Sequence, residues 1–183
     1  PMIGFYKAHI SEIVDVSVIP DKRRYAIAEE APRHYLDADH YGDSTFAILP
    51  ESWRPAVDKF GEDSLSAHGI LPWHIVTMHR RLANAFLVGD PAAIIRLSGE
   101  LGHYIADAHV PLHTTENYNG QLTGQEGIHG FWESRLPELF FHDYHLFVGK
   151  ASYIRDTQRA AWDIIRNSHS LVREVLMEEK QLA

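Results

Sequence analysis

Residues 103–133 read HYIADAHVPLHTTENYNGQLTGQEGIHGFWE and predict two helical segments joined by a polar, glycine-containing loop. His103 and Asp107 are four residues apart, and His129 and Glu133 repeat this spacing, so each pair lies on one face of its helix. Such a pair directs two side chains towards one point, and zinc binds imidazole nitrogen and carboxylate oxygen at about 2.0–2.2 Å. The stretch therefore predicts a metal site and favours a metal-dependent hydrolase with more than one zinc.

A further histidine and the lack of cysteine narrow the choice of ligands. His113 lies between the two pairs, so the stretch supplies three imidazoles and two carboxylates. A single HxxxD pair is a weak signal, because such pairs often form ordinary surface hydrogen bonds. Two pairs with an intervening histidine favour metal binding. The sequence contains no cysteine, which leaves His, Asp and Glu as the ligands.

The composition is that of an ordinary globular chain. Its 183 residues suit one domain with a sizeable core, and 45% of them are hydrophobic. No apolar run approaches the roughly 18–20 residues that span a bilayer, and residues 1–13 do not resemble a signal peptide. The formal net charge is −8, and no Lys/Arg run provides the basic face expected of a general duplex-DNA binder. A phosphate substrate is still compatible with this charge, because bound dications reverse the local field.

Helical periodicity accounts for most of the chain, and strand signals are nearly absent. Apolar spacing and proline positions predict helices over residues 2–16, 51–60, 72–88, 91–108, from near 128 to 137, and 150–180. Pro20 is expected to stop the first helical region, with residues 21–25 opening a connecting segment, and residues 61–71 are expected to be turn-rich. Pro137 is expected to bend or end its helix. The fold predicted is all-α, with a single domain over residues 1–183.

Two of these helices carry features that bear on packing. Gly99 and Gly102 lie inside the helix that carries His103, although glycine costs about 1 kcal/mol there relative to alanine. Small residues at these positions would let another helix or a metal cluster approach closely. The last helix is expected to bury the apolar stripe Ile154, Ala161, Ile164, Ile165, Leu171, Val172, Val175 and Leu176.

The motifs resemble those of the zinc-dependent phospholipase C superfamily, which includes the single-strand-specific S1/P1-type nucleases. HYIADAHVPLH followed by IHGFWE has the family order of a His, an Asp four residues on, a His six further on and a His–acid pair after a loop. Upstream, Asp21 with Arg24, and then His34 within HYLDAD, fit the family's Asp, Arg and His. The resemblance runs from about residue 21 to 133, and seven ligand positions fall in the family's order.

The resemblance implies an all-α fold of the phospholipase C/P1 nuclease type and a site that holds three zincs. It implies one zinc bound by Asp21, His34, His103 and Asp107. It implies a second zinc bound by His113, His129 and Glu133. In the family the third zinc uses the bridging Asp together with an N-terminal Trp and a following His, whereas the first Trp here is Trp53. The chain is therefore expected to lack the family's N-terminal segment, to support two zinc sites and to leave the third incomplete.

The resemblance also implies phosphodiester hydrolysis by water that zinc activates, because zinc lowers the pKa of bound water to about 7. Asp21 is expected to orient or deprotonate this water, and Arg24 to contact phosphate or to hold Asp21. On the residues alone, these two side chains are equally consistent with a surface ion pair. Loop residues 114–128 are expected to form one lip of the cleft. The candidate acceptors for the outer N–H groups of the ligand histidines are Glu100, Asp37 and Asp39.

The remaining histidines and Trp132 are interpreted as structural. His68, His74 and His79 are expected to be core-edge or surface residues of the middle helices. His109 is expected to lie in a loop or behind the ligands, and Trp132 to pack between two of them.

Several readings of function stay open. Glu133, where the nucleases typically have Asp, and the lack of cysteine favour a phospholipase C-like enzyme over a single-strand-specific nuclease. A di-iron carboxylate bundle would need ExxH pairs and about four carboxylates, so zinc is favoured over iron. A non-catalytic zinc-binding helical module is a third reading. The family further implies a secreted or periplasmic protein that contacts a membrane surface transiently, and no stable protein partner is expected.

Overall fold

The computed structural model describes residues 2–147 and 149–182, and within these ranges the chain is helical with no β-strand. The α-helices are α1 (Met2–Ala8), α2 (Ile10–Ser17), α3 (Ile19–Arg23), α4 (Thr45–Ile48), α5 (Trp53–Phe60), α6 (Glu62–Ala67), α7 (Leu71–Val88), α8 (Pro91–Ala108), α9 (Ile128–Gly130), α10 (Leu136–Phe140), α11 (Thr157–Ser170) and α12 (Val172–Leu182). Short 3-10 helices cover Ala28–His34, Ala38–Tyr41, Pro111–Thr114 and Phe141–Asp143, and a π-helical turn covers Phe131–Arg135. The all-α prediction is confirmed.

The antiparallel pair α7 and α8 forms the centre of the fold, and its bounds follow from local chemistry. Gly89 ends α7 in the left-handed conformation (φ 72°), which glycine adopts without steric cost. Asp90 then caps α8 by accepting the N–H of Ala93 at 3.1 Å, and Pro91 lies in the first turn, where its missing N–H is not needed. Both helices agree with the bounds predicted from the sequence.

The N-terminal region differs from the prediction, because Pro20 does not stop the helical region. Pro20 lies in the first turn of α3, a position where proline is tolerated, so Asp21 belongs to a helix rather than to a connecting segment. Gly99 allows α2 to cross α8 closely: a Cβ atom there would lie 2.7 Å from the carbonyl oxygen of Ile13. Gly102 has no such role, since no described atom lies within 4 Å of a Cβ at that position.

The other differences concern helix ends. Residues 61–71 contain α6, which the turn-rich interpretation missed. Pro137 does not end its helix, because α9, the π-helical turn and α10 follow one another without a break and place Pro137 in the first turn of α10. The helix predicted over 150–180 begins only at Thr157, where Asp156 accepts the N–H of Arg159 at 2.9 Å, and it is interrupted at Leu171. Ile154, expected in the buried stripe, precedes the helix and is 59% exposed.

The main hydrophobic core lies between α5, α7, α8 and α11. Trp73 on α7 packs edge-to-face against Trp53 (ring centroids 5.5 Å apart) and against Trp162 of α11 (5.1 Å). Ala161 and Ile165 of α11 are buried as predicted. Among the described helices, none combines the length and the apolar character needed to cross a bilayer. Helix α8 packs against this core and carries His103 and Asp107 at its C-terminal end.

Candidate metal centre

Four of the predicted ligands converge at the C-terminal end of α8. The Nδ1 atom of His34 lies 2.9 Å from Oδ2 of Asp107, 3.1 Å from Nε2 of His103 and 3.8 Å from Oδ1 of Asp21. Nε2 of His103 lies 3.3 Å from Oδ2 of Asp107 and 3.7 Å from Oδ1 of Asp21. Tetrahedral coordination with bonds of 2.0–2.2 Å separates the ligand atoms by about 3.3–3.6 Å. The ligand atoms of Asp21, His34 and His103 all lie within 4.8 Å of one another, so these three side chains can hold one ion, and the carboxylate of Asp107 contacts both imidazoles. We call these four residues the first ligand group.

The other three predicted ligands form a second ligand group, made of His113, His129 and Glu133. Nε2 of His113 lies 2.7 Å from Oε1 of Glu133, and Nε2 of His129 lies 3.1 Å from Oε2 of Glu133. The contact between His113 and Glu133 does not have hydrogen-bond geometry. Its two atoms are buried, and neither has a hydrogen-bond partner among the residues described. Glu133 lies in the π-helical turn, a distortion that often occurs at functional sites. A cation shared by the three side chains would satisfy both buried atoms.

Backbone carbonyls fix which nitrogen of each imidazole faces the second group. Nδ1 of His113 lies 2.5 Å from the carbonyl oxygen of His34, and Nδ1 of His129 lies 3.1 Å from that of Tyr118. A carbonyl only accepts hydrogen bonds, so each Nδ1 must donate. In the neutral rings this leaves the Nε2 lone pairs directed towards Glu133, which is the arrangement that metal-ligating histidines use.

A buried carboxylate lies behind His34. Oε1 of Glu30 is 3.6 Å from Nε2 of His34, and Glu30 is fully buried. It accepts hydrogen bonds from Nε of Arg23 (2.8 Å), Nη1 of Arg33 (2.6 Å) and the hydroxyl of Tyr104. Burial alone raises the pKa of Glu30, but the hydrogen bonds from Arg23 and Tyr104 outweigh it and lower the pKa to about 2. Glu30 is therefore ionised at neutral pH and faces the imidazole of His34 from the side away from the other ligands.

Glu30 was not among the acceptors predicted from the sequence. The three residues that were predicted have other partners in the structure. Glu100 accepts from Nη1 of Arg23 at 2.9 Å, Asp37 lies beside His68, and Asp39 accepts from the loop at residues 115–116. In the part of the chain that the structure describes, none of the three is hydrogen-bonded to a predicted metal ligand. The i,i+4 spacing of Glu30 and His34 was available as a signal, although here it falls in a 3-10 helix.

When no cation is bound, contacts between ionised carboxylates and protonated histidines stabilise each ligand group. Burial raises the pKa of Asp107, but hydrogen bonds from His103 and His34 outweigh it and hold that pKa well below the usual range. Burial likewise raises the pKa of Glu133, and contacts with His113 and His129 reverse this and lower it to about 2. Burial lowers the pKa of His103 and of His113, yet the neighbouring carboxylates raise both above the ordinary value. The carboxylates are therefore ionised and their histidines favour the protonated form, which is the charge balance that a bound dication would replace.

Both ligand groups open into a cleft of about 700 Å³ and an adjoining hollow of about 490 Å³. Arg24 lines both spaces, with Nη1 3.6 Å from Oδ1 of Asp21, and both side chains are about half exposed. Glu116, Tyr118 and Asn119 line the cleft, as expected for the loop at 114–128. The structure thus brings all seven predicted ligands and Arg24 to one region of the surface.

The remaining histidines include one group that the sequence did not suggest. His74 is buried against Tyr104 (ring centroids 4.5 Å apart), and burial lowers its pKa to about 3, in agreement with the core-edge interpretation. His68 is different, because it lies with His40 and Glu116 in a third cluster of potential ligands. These residues come from three separate segments, so no spacing in the sequence indicates the cluster.

The chain was compared with protein-family models, with curated proteins and with solved structures, and none of them matches it.

Proposed function

We propose that this chain is a zinc-dependent phosphodiester hydrolase of the phospholipase C/P1 nuclease type, with the first and second ligand groups each holding one zinc. The observation that carries the proposal is the spacing of the ligand atoms. Within the two groups, the facing imidazole nitrogens and carboxylate oxygens lie 2.7–3.8 Å apart, and Nε2 of His113 and Oε1 of Glu133 are buried without a hydrogen-bond partner among the described residues. Nitrogen and oxygen ligands without thiolates suit zinc.

The second ligand group gives the clearest evidence that its residues fit a metal ion. The buried Nε2 of His113 and Oε1 of Glu133 face each other without a hydrogen bond between them. At 2.7 Å they form a close ion pair when His113 is protonated, and neither has a hydrogen-bond partner among the described residues. A divalent cation would replace that proton, and when bound it supplies a Lewis acid that lowers the pKa of coordinated water and neutralises phosphate oxygens.

The chain's own residues then have distinct tasks. Asp21 keeps a half-exposed carboxylate at the edge of the cleft, where it can orient a water molecule and accept its proton. The guanidinium of Arg24, on the same helical segment, lines both the cleft and the adjoining hollow. It can donate two parallel hydrogen bonds to a phosphate. His103 and Asp107 are one turn apart on α8, and His34 lies between their side chains and the buried Glu30.

For the substrate we favour a phospholipid over single-stranded nucleic acid, on the two sequence features given above. A nucleic acid is the alternative, because Tyr118 at the mouth of the cleft is 53% exposed and could stack on a base. A secreted or periplasmic location and transient contact with a membrane surface remain predictions of the family resemblance.

The experiment is an assay of the zinc-loaded protein on phosphatidylcholine vesicles and on single-stranded DNA, with Arg24→Ala as the test variant. We expect cleavage of the phospholipid, and a loss of about 10²–10³-fold in kcat for Arg24→Ala with its zinc content unchanged, as for other residues that stabilise developing charge. Arg54→Ala is the matched control, because Arg54 also makes a 3.6 Å contact with a carboxylate one helical turn away but lies outside the cleft.

Each outcome decides between the readings. Cleavage of DNA alone would reverse the order of substrates. A protein that binds zinc at both ligand groups, unfolds when zinc is removed and cleaves neither substrate would be a non-catalytic zinc module.

A further inference from the structure

His40, His68 and Glu116 form a cluster of potential ligands that shares no member with the two ligand groups already described. Nδ1 of His40 lies 3.1 Å from Oε1 of Glu116, and Nδ1 of His68 lies 3.9 Å from the same oxygen. All three ligand atoms lie within 4.8 Å of one another. The two distances to Glu116 bracket the separation of about 3.3–3.6 Å between ligands of a tetrahedral zinc.

Backbone and side-chain contacts hold the three segments in place. The carboxylate of Asp39 accepts the hydroxyl of Thr115 at 2.5 Å and the N–H of Glu116 at 2.9 Å, which ties the loop to the 3-10 helix that carries His40. The N–H of Asp37 donates to the carbonyl of His68 at 2.8 Å, which ties the end of α6 to the same segment. The backbone positions of the three ligands are therefore set before any ion binds.

A buried imidazole nitrogen without a hydrogen-bond partner points to a cation in this cluster. The rings of His40 and His68 are stacked, with centroids 3.2 Å apart and planes at 14°, and both Nδ1 atoms face Glu116. Nδ1 of His68 is buried and has no hydrogen-bond partner among the described residues. Oδ2 of Asp37 lies 3.5 Å from this nitrogen, so carboxylates approach it from two sides. Two protonated rings in face-to-face contact would repel each other. Imidazole lone pairs lie in the ring plane, so one of the two neutral rings must rotate out of the stack before both Nδ1 atoms bind the same ion.

We propose that His40, His68 and Glu116 form a further metal site, which takes a borderline transition-metal dication such as Zn²⁺. Three protein ligands of the N₂O type leave one of four tetrahedral positions open. His68 and Glu116 line the same cleft as His34, His113 and His129, so the ion adds positive charge to the wall of that cleft. The site is independent of the proposed hydrolase activity, because none of its ligands belongs to the first or second ligand group.

The test measures zinc content after chelation and equilibrium dialysis against Zn²⁺, without any activity assay. The variants are His40→Ala/Glu116→Gln, the nearly isosteric Glu116→Gln alone, and His129→Ala as a probe of the second ligand group. His142→Ala is the control, because His142 is exposed and lies in no ligand cluster. Circular dichroism checks that each variant is folded.

We expect the double variant to bind about one equivalent of zinc less than the wild type, and Glu116→Gln to bind that equivalent at least tenfold more weakly. His142→Ala should match the wild type. A folded double variant, or a folded Glu116→Gln, with unchanged zinc content and affinity would overturn the proposal and leave an ordinary His–Glu ion pair. His129→Ala separates the two proposals. If this variant alone loses zinc, the site at His40, His68 and Glu116 is wrong and the hydrolase centre stands. If only the variants of that cluster lose zinc, the cluster binds the metal and the second ligand group does not.

Discussion

Replacing Glu30 by glutamine removes a fully buried charge behind His34 while keeping the shape of the side chain. The pKa of Glu30 is lowered from 4.5 to about 2, because the hydrogen bonds from Arg23 and Tyr104 favour the ionised form more than burial opposes it. A difference of about 2.5 pKa units corresponds to about 3 kcal/mol of folding free energy at neutral pH. We therefore expect Glu30→Gln to lower the free energy of unfolding at pH 7 by about 3 kcal/mol, and Glu29→Gln, at the exposed neighbouring position, to change it by less than about 0.5 kcal/mol.

The pH dependence gives the sign of this effect. A pKa lowered by folding means that the ionised carboxylate stabilises the fold; the stabilisation is complete above the ordinary pKa of 4.5 and is lost as the pH falls towards 2. Urea denaturation in chelator should therefore show the difference between wild type and Glu30→Gln shrinking between pH 5 and pH 2. A difference that is negligible at pH 7, or that stays constant over this range, would refute the reasoning. Glu30→Gln should also weaken zinc binding by about 10–100-fold, since the carboxylate lies 3.6 Å from Nε2 of His34 on the side away from the other ligands.

Three further predictions concern packing, capping and metal binding. Gly99→Ala should lower the melting temperature, at a cost of about 1–3 kcal/mol, because its Cβ would lie 2.7 Å from a backbone oxygen of α2; Gly102→Ala, with open space around it, should raise stability by up to about 1 kcal/mol. Asp156→Ala should cost about 1 kcal/mol in urea denaturation, because it removes the N-cap of α11; an unchanged midpoint would contradict this. Zinc affinity measured by calorimetry should fall as the pH drops through the raised pKa values of His103 and His113, with protons released on binding at neutral pH; affinity independent of pH between 5 and 8 would exclude these histidines as ligands.

Local sequence determined the elements whose contacts lie within a few residues. Gly89, Asp90 and Pro91 specify the turn between α7 and α8 through backbone conformation and capping, and both helices were predicted with nearly correct bounds. The HxxxD and HxxxE pairs follow from the helical repeat alone. The family order then indicated Asp21 and His34 as their partners, although these residues are distant in sequence from α8.

Tertiary packing decided everything that depends on groups brought together from distant segments. Asp21 meets the imidazoles of His34 and His103 because α3 packs beside α8, and Glu30 is ionised because Arg23 and Tyr104 contact it in the interior. The cluster that includes His68 joins three segments that no spacing relates. Helical periodicity and capping act between residues up to about four apart, so they show in the sequence, whereas the position and protonation of a buried side chain depend on neighbours that only the folded chain supplies.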